Sequence, residues 1–236
     1  MTFRRAFVVV SAWFAVVAIA GIVAGRAVTG PLDTVVARDI DGPVRDFVTR
    51  RNDPGWHHLF AHVSAFGTAF VTGTVAVVAG GLWSVRRRSP TVALQCVTAF
   101  AGAGLLTIVV KFGVDRNPAS GPLPAFAAGT FPSGHALFAV SVYGTLGALI
   151  ARSRAPRMIR AASATILAVL ALAVGWSRVF LLDHYASDVV GSLVLGVAWV
   201  AVVVSTSAFR HDARVGCMTR GGEKTHPRAV SANPSR

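Results

Sequence analysis

The sequence predicts an all-α protein, a bundle of six transmembrane helices with both termini on the cytoplasmic side. Three observations predict it. The chain of 236 residues is 53% hydrophobic and only 14% charged, where a soluble domain carries about a quarter charged residues. Six apolar segments recur along it, most of them near the roughly 20 residues a helix needs to cross the hydrocarbon layer. The basic residues gather in alternate connections between those segments, the bias that sets membrane orientation.

The segments run over residues 6–25, 59–85, 92–110, 135–151, 161–182 and 189–209, the fourth being short. The first follows Arg4 and Arg5. Its apolar run is longer than that of a secretory leader and no clear Ala-x-Ala site follows, so it is expected to remain as an anchor. Gly21 and Gly25 in this segment, and Gly102 and Gly104 in the third, let helices approach closely. The polar stretch 27–58 is broken by Pro31, Gly42-Pro43 and Asp53-Pro54-Gly55. Within it Val44, Phe47 and Val48 fall at helical spacing, which predicts a short helix on the membrane surface. His57, His58 and His62 follow beside Trp56. No carboxylate stands at matching spacing, so they read as the start of an interfacial helix rather than as a metal site. Cys96 and Cys217 lie far apart and neither belongs to a CxxC pair, which argues against a disulfide framework or a thiolate metal site. The division expected is 1–58 for the first helix and an extracytoplasmic segment, 59–209 for a membrane core, and 210–236 for a disordered cytoplasmic tail.

The formal net charge is +13, a value that raises the question of nucleic acid. Its distribution answers otherwise. With the N-terminus inside, the inner segments hold Arg4 and Arg5, Arg86 to Arg88, Arg152, Arg154, Arg157 and Arg160, and the six basic residues of the tail, 15 of the 23 in the chain. Only Asp212 and Glu223 accompany them, and the outer segments balance eight bases against eight acids. The whole excess is therefore cytoplasmic; its partner is anionic lipid, and no nucleic-acid partner is expected.

Three polar clusters then fall on the outer side. Lys111 closes the third segment and Arg116 follows it. Phe131-Pro132-Ser133-Gly134-His135 opens the fourth. Ser133 is a good N-cap, Gly134 lets a ligand approach the backbone, and the free N–H groups of a helix start favour an anion. The third cluster, Ser177-Arg178 to His184 and Asp188, joins the fifth segment to the sixth. Asp188 lies four residues after His184, so on a helix beginning near Tyr185 its carboxylate can hold one ring nitrogen and leave the other free to attack. Arg178 adds a forked cation suited to phosphate. These groups, nearly 80 residues apart, meet only if helices three to six bundle.

The arrangement resembles the type 2 phosphatidic acid phosphatase family, the superfamily shared with bacterial class A acid phosphatases and vanadium haloperoxidases. Of the family's three signatures, Pro-Ser-Gly-His is intact at Pro132–His135 and Ser-Arg-x5-His-x3-Asp at Ser177–Asp188. In Lys-x6-Arg-Pro the lysine is Lys111, but Pro118 stands at the arginine position and the nearby arginine is Arg116. The resemblance implies metal-free phosphoryl transfer without a cofactor. His184 is then the nucleophile, Asp188 its orienting carboxylate, and His135 the general acid and base. Lys111, Arg178, Ser133, Gly134 and Arg116 are the phosphate ligands, Arg116 taking over from the missing arginine. The substrate class implied is a lipid phosphate or diphosphate, of phosphatidic acid or polyprenyl diphosphate type, met at the outer face of the plasma membrane. Two readings from other classes stand beside it. One is a silent lipid-binding or scramblase-like module, supported by the altered first signature. The other is a six-helix transporter, which predicts charges spread across bilayer depth rather than gathered at one face.

Overall fold

The computed structural model describes residues 3–116 and 129–206. Its helices are α1 (Phe3–Thr29), α2 (Asp33–Val36), α3 (Gly42–Thr49), α4 (Pro54–Ala65), α5 (Ala69–Arg87), α6 (Thr91–Val114), α7 (Gly134–Ala151), α8 (Arg157–Phe180) and α9 (Ala186–Ser205), with a π-helical turn at Ala37–Asp41 between α2 and α3. Six of them, α1 and α5 to α9, are long and apolar enough to cross a membrane. The tail expected to be disordered and the Pro118 position lie outside the described residues.

Short connections between α5 and α6, α7 and α8, and α8 and α9 reverse the chain each time, so neighbouring helices run antiparallel. Arg26 at the end of α1 donates from Nε to the carbonyl of Gly113 near the end of α6, 2.7 Å away. One end of the bundle therefore collects the C-terminal ends of α1, α6 and α8 with the N-terminal ends of α5, α7 and α9. Arg86 to Arg88 and Arg152 to Arg160 fall at the opposite end.

Half of the apolar window of α7 and of α9 is buried, against 17% for α1 and α8, so α7 and α9 form the centre. Trp199 of α9 is the pivot. Its ring is packed so closely on Gly102 that a Cβ there would lie 2.1 Å from it, and its Nε1 donates to the carbonyl of Ala99 at 3.2 Å. Around it gather Val17, Ala103, Leu106, Leu137 and Val203, drawn from α1, α6, α7 and α9. Val16, Ile19 and Val23 on α1, and Ile166, Val169 and Leu172 on α8, point outward instead. That apolar perimeter is what a lipid solvent requires, since lipid tails give helices no hydrophobic reason to hide such faces.

One element differs from expectation. The second apolar segment is not a single helix over 59–85: the chain turns at Phe66–Thr68, separating α4 from α5. Thr68 is the cause on the C-terminal side, its hydroxyl accepting from the Val71 N–H as an N-cap. Gly67 is the cause on the other, because a Cβ there would lie 2.4 Å from Val174 and 2.9 Å from the His135 carbonyl oxygen. The helix expected around Val44–Val48 is present as α3, with Val48 fully buried against Val179, Phe180 and Val189. The histidines of α4 are exposed, and among the described residues no three His, Cys, Asp or Glu side chains are placed to share a metal ion.

Candidate active site

At the end of the bundle where α6 and α8 finish and α7 and α9 begin, the three polar clusters converge. Lys111 stands one turn before the end of α6 and its Nζ donates to the Gly129 carbonyl at 2.6 Å, tying α6 to the approach to α7. His135, on the first turn of α7, lies within electrostatic reach of Lys111, Arg178, Asp183 and His184. Lys111 in turn is within reach of Arg178 and Asp188. The residues expected to form a phosphate site thus share one locus.

Ser133 precedes α7, but its hydroxyl does not cap the helix. Instead its backbone N–H donates to Ser192 Oγ at 2.8 Å, and Ser192 Oγ donates to the Asp188 carbonyl at 2.7 Å. Ser192 therefore fastens the second cluster to the third. The Ser133 hydroxyl, fully buried, has no partner among the described residues. Burying an oxygen unpaired costs about 1–3 kcal/mol. Arg178 Nε and His184 Nδ1 are likewise buried without hydrogen-bond partners. Ser141, Thr145 and Arg160 carry such atoms elsewhere in the bundle, but these three lie on residues of the converging clusters.

Arg178 is held from two directions. One terminal nitrogen donates to Ser64 Oγ at 2.6 Å, and the other pairs with Asp183 at 2.7 Å. Ser64 arrives because α4 ends at the corner where the second segment breaks, a consequence no apolar pattern displays. After Arg178 the chain leaves α8 through Leu182, a non-glycine residue at φ 59°. The N–H groups of Asp183 and His184 both return to the Arg178 carbonyl at 3.2 Å. This tight turn carries the imidazole back over the site.

His184 faces Asp188 as the four-residue spacing predicts, since α9 starts at Ala186 with Tyr185 as its cap. The Nδ1 to Oδ2 separation is 3.5 Å, at the outer edge of a hydrogen bond. Oδ2 also accepts from the Tyr185 N–H at 3.1 Å. With Nδ1 toward the carboxylate, Nε2 occupies the far edge of the ring.

Arg116 is placed differently from the expectation that it holds phosphate. One terminal nitrogen donates to Asp188 Oδ1 at 2.6 Å and to Ser187 Oγ at 2.8 Å, and the other pairs with Asp41 at 2.9 Å. Its guanidinium also stacks over the Tyr185 ring, 4.3 Å from the centroid. Burial opposes its charge, but Asp188 and Asp41 outweigh that and raise its pKa above the ordinary arginine value. The terminal nitrogens of this guanidinium thus meet two buried carboxylates and a hydroxyl behind Asp188.

Sequence reasoning did not find Asp41, Ser64, Asp183, Ser187 or Ser192. The exact balance of acids and bases in the outer segments was the available signal for the two aspartates, because it becomes the pairs Arg116–Asp41 and Arg178–Asp183. For the serines there was none.

The profile of the PAP2 superfamily matches residues 92–212, more than half of the chain. Phosphatidylglycerophosphatase B of Bacillus subtilis (strain 168) is 28% identical over 135 residues, covering 55% of this chain and 64% of that protein, so the chain matches less than two thirds of its length. A crystal structure of a transmembrane PAP2-type phosphatidylglycerolphosphate phosphatase from Bacillus subtilis superposes with a TM-score of 0.67 at 22% identity. The superposition covers 81% of this chain and 94% of that one, and establishes a common fold.

Proposed function

Because this chain belongs to the PAP2 superfamily, we propose that it is an integral-membrane phosphatase that hydrolyses a lipid phosphomonoester or diphosphate through a phosphohistidine. The observation that carries the reading is the convergence of His184, His135, Arg178, Lys111 and the unpartnered Ser133 hydroxyl at one end of the bundle.

In the first step the His184 Nε2 lone pair attacks phosphorus in line with the leaving oxygen. The P–O bond breaks as the P–N bond forms, and His135 gives its proton to the departing oxygen. Water then attacks phosphorus, its proton passes to His135, and the P–N bond breaks to free phosphate and the imidazole. Covalent catalysis divides one difficult displacement into two. Lys111, Arg178, the Ser133 hydroxyl and the Gly134 N–H supply the electrostatic stabilisation that phosphoryl transfer chiefly needs. Asp188 keeps the His184 proton on Nδ1.

The positive-inside rule supports a cytoplasmic position for the end of the bundle that carries Arg86–Arg88 and Arg152–Arg160, and with it a site on the outer face of the cell membrane. A lipid phosphate at headgroup depth meets it there with its tails still in the bilayer. Phosphatidic acid, phosphatidylglycerol phosphate (the substrate named for the Bacillus subtilis relative) and polyprenyl diphosphate all have that form.

Purified protein assayed on these three lipids is expected to release phosphate from at least one, with full activity in EDTA and inhibition by vanadate. His184→Ala is expected to abolish turnover while the protein still inserts and elutes as the parent does. Near-parental activity in that variant removes the nucleophile, and strict dependence on a divalent ion removes the mechanism.

A further inference from the structure

Two carboxylates, one guanidinium and a serine are buried together behind the nucleophile, and the mechanism above leaves three of the four unused. Asp41 comes from the π-helical turn between α1 and α4, Arg116 from just beyond α6, and Ser187 and Asp188 from the first turn of α9. Asp41 is 4% exposed, Arg116 9% and Asp188 not at all. Asp41 accepts from the Ser187 N–H at 2.9 Å and from the Ser187 hydroxyl at 2.7 Å, besides pairing with Arg116. Burying three charges is expensive even when they are paired, and a packed apolar cluster of equal size is often as stable. Stability alone therefore does not account for the group.

We propose that Arg116 and Asp41 are positioning residues that fix the Asp188 carboxylate against His184, so that the segment between α1 and α4 takes part in catalysis without touching substrate. This rests on the phosphatase reading of His184. Arg116 takes Asp188 Oδ1 at 2.6 Å, which leaves Oδ2 as the oxygen presented to the imidazole. Asp41 takes the other terminal nitrogen of Arg116 and so sets the plane of its fork. By binding the Ser187 N–H as well, Asp41 also pins the backbone turn from which Asp188 projects. A bidentate fork shared by two carboxylates fixes direction as well as charge, which a lysine at 116 does not reproduce. The two residues lie 75 positions apart in the chain, so the contact is made by the fold and not by local sequence.

The test uses full-length protein in lipid nanodiscs, with Asp41→Asn, Arg116→Ala, Arg116→Lys and the double variant Asp41→Asn/Arg116→Ala. Four quantities are read: kcat, KM on whichever lipid phosphate the parent hydrolyses, the vanadate inhibition constant, and the rate at which phosphoenzyme forms in a single turnover. Misplacing a catalytic group by about 1 Å costs on the order of a hundredfold. Arg116→Ala is accordingly expected to lose roughly a hundredfold in kcat, and Asp41→Asn and Arg116→Lys roughly tenfold. KM and vanadate inhibition are expected to stay within about threefold of the parent, the rate of phosphoenzyme formation to fall with kcat, and the double variant to be no slower than Arg116→Ala, as for residues that act as one unit. A tenfold weaker vanadate inhibition in Arg116→Ala with Asp41→Asn silent overturns the proposal and returns Arg116 to the phosphate. A rate of phosphoenzyme formation in Arg116→Ala equal to the parent's overturns it too, because His184 then attacks as well without that support. The His184 ring in histidine-labelled protein gives a readout independent of turnover. Its nitrogen signals are expected to move in Asp41→Asn and Arg116→Ala alike, and unmoved signals overturn the relay. Should the parent hydrolyse no lipid phosphate, the phosphatase reading falls, while these ring signals still decide whether the relay exists.

Discussion

Asp183 illustrates how a single side chain can set the affinity of a phosphate site without joining it. Its carboxylate pairs at 2.7 Å with a terminal nitrogen of Arg178, the cation proposed to hold the substrate phosphate. An anion that binds Arg178 must compete with that partner. Asp183 is half exposed, so the pair is worth about 1 kcal/mol or less. Asp183→Asn is therefore expected to tighten vanadate inhibition by up to about fivefold, with little change in kcat. Weaker inhibition instead indicates that Asp183 orients Arg178 rather than masks it. The residues of the converging cluster that were legible beforehand, His184, Asp188, His135, Ser133 and Arg178, announce themselves by type and spacing, since polar groups at the mouth of an apolar run need a reason to be there. Arg116 did not, because the residue type suits phosphate and carboxylate equally. Asp41, brought across 75 positions, is the partner that the local sequence does not display.

At the scale of elements the apolar runs foretold five of the six long helices with ends a few residues adrift. The sixth, the run over 59–85, concealed a corner. Hydropathy averages over a window, and the three residues Phe66–Thr68 contribute too little to interrupt it. The corner is nevertheless what delivers Ser64 to Arg178 and sets the α4–α5 junction against the start of α7. Tyr143 of α7 reinforces it, its hydroxyl donating to the Phe66 carbonyl at 2.7 Å. Gly67 is the residue on which this contact depends: a methyl group there meets Val174 and the His135 backbone below van der Waals distance. Gly67→Ala is expected to destabilise by about 1–3 kcal/mol, as overpacked cores do, and to lower kcat because His135 itself is displaced. Thermal unfolding and turnover should fall together. A stable, fully active Gly67→Ala protein means that the corner yields without moving the histidine.

For the whole molecule the decisive property is which face of the membrane the site occupies, because it selects the pool of lipid that can reach it. Six crossings bring both ends of the spanning region to the same side, and the site sits at the other. The charges divide accordingly. Cations at the far end stand in clusters without acids, in Arg86–Arg88 and in Arg152, Arg154, Arg157 and Arg160, whereas cations at the site end are matched by aspartates, as in Arg116 with Asp41 and Asp188. Clustered arginines in short connections bias a segment toward the cytoplasm, so the far end is predicted to be the cytoplasmic one. Arg50, exposed after α3, and Pro90, exposed before α6, stand at opposite ends of the bundle. With Cys217 replaced by serine and Cys96 left buried in the core, Arg50→Cys is expected to react with a membrane-impermeant maleimide in intact cells. Pro90→Cys is expected to react only after the cells are opened. The reverse pattern puts the site in the cytoplasm and removes every outer-leaflet lipid from consideration.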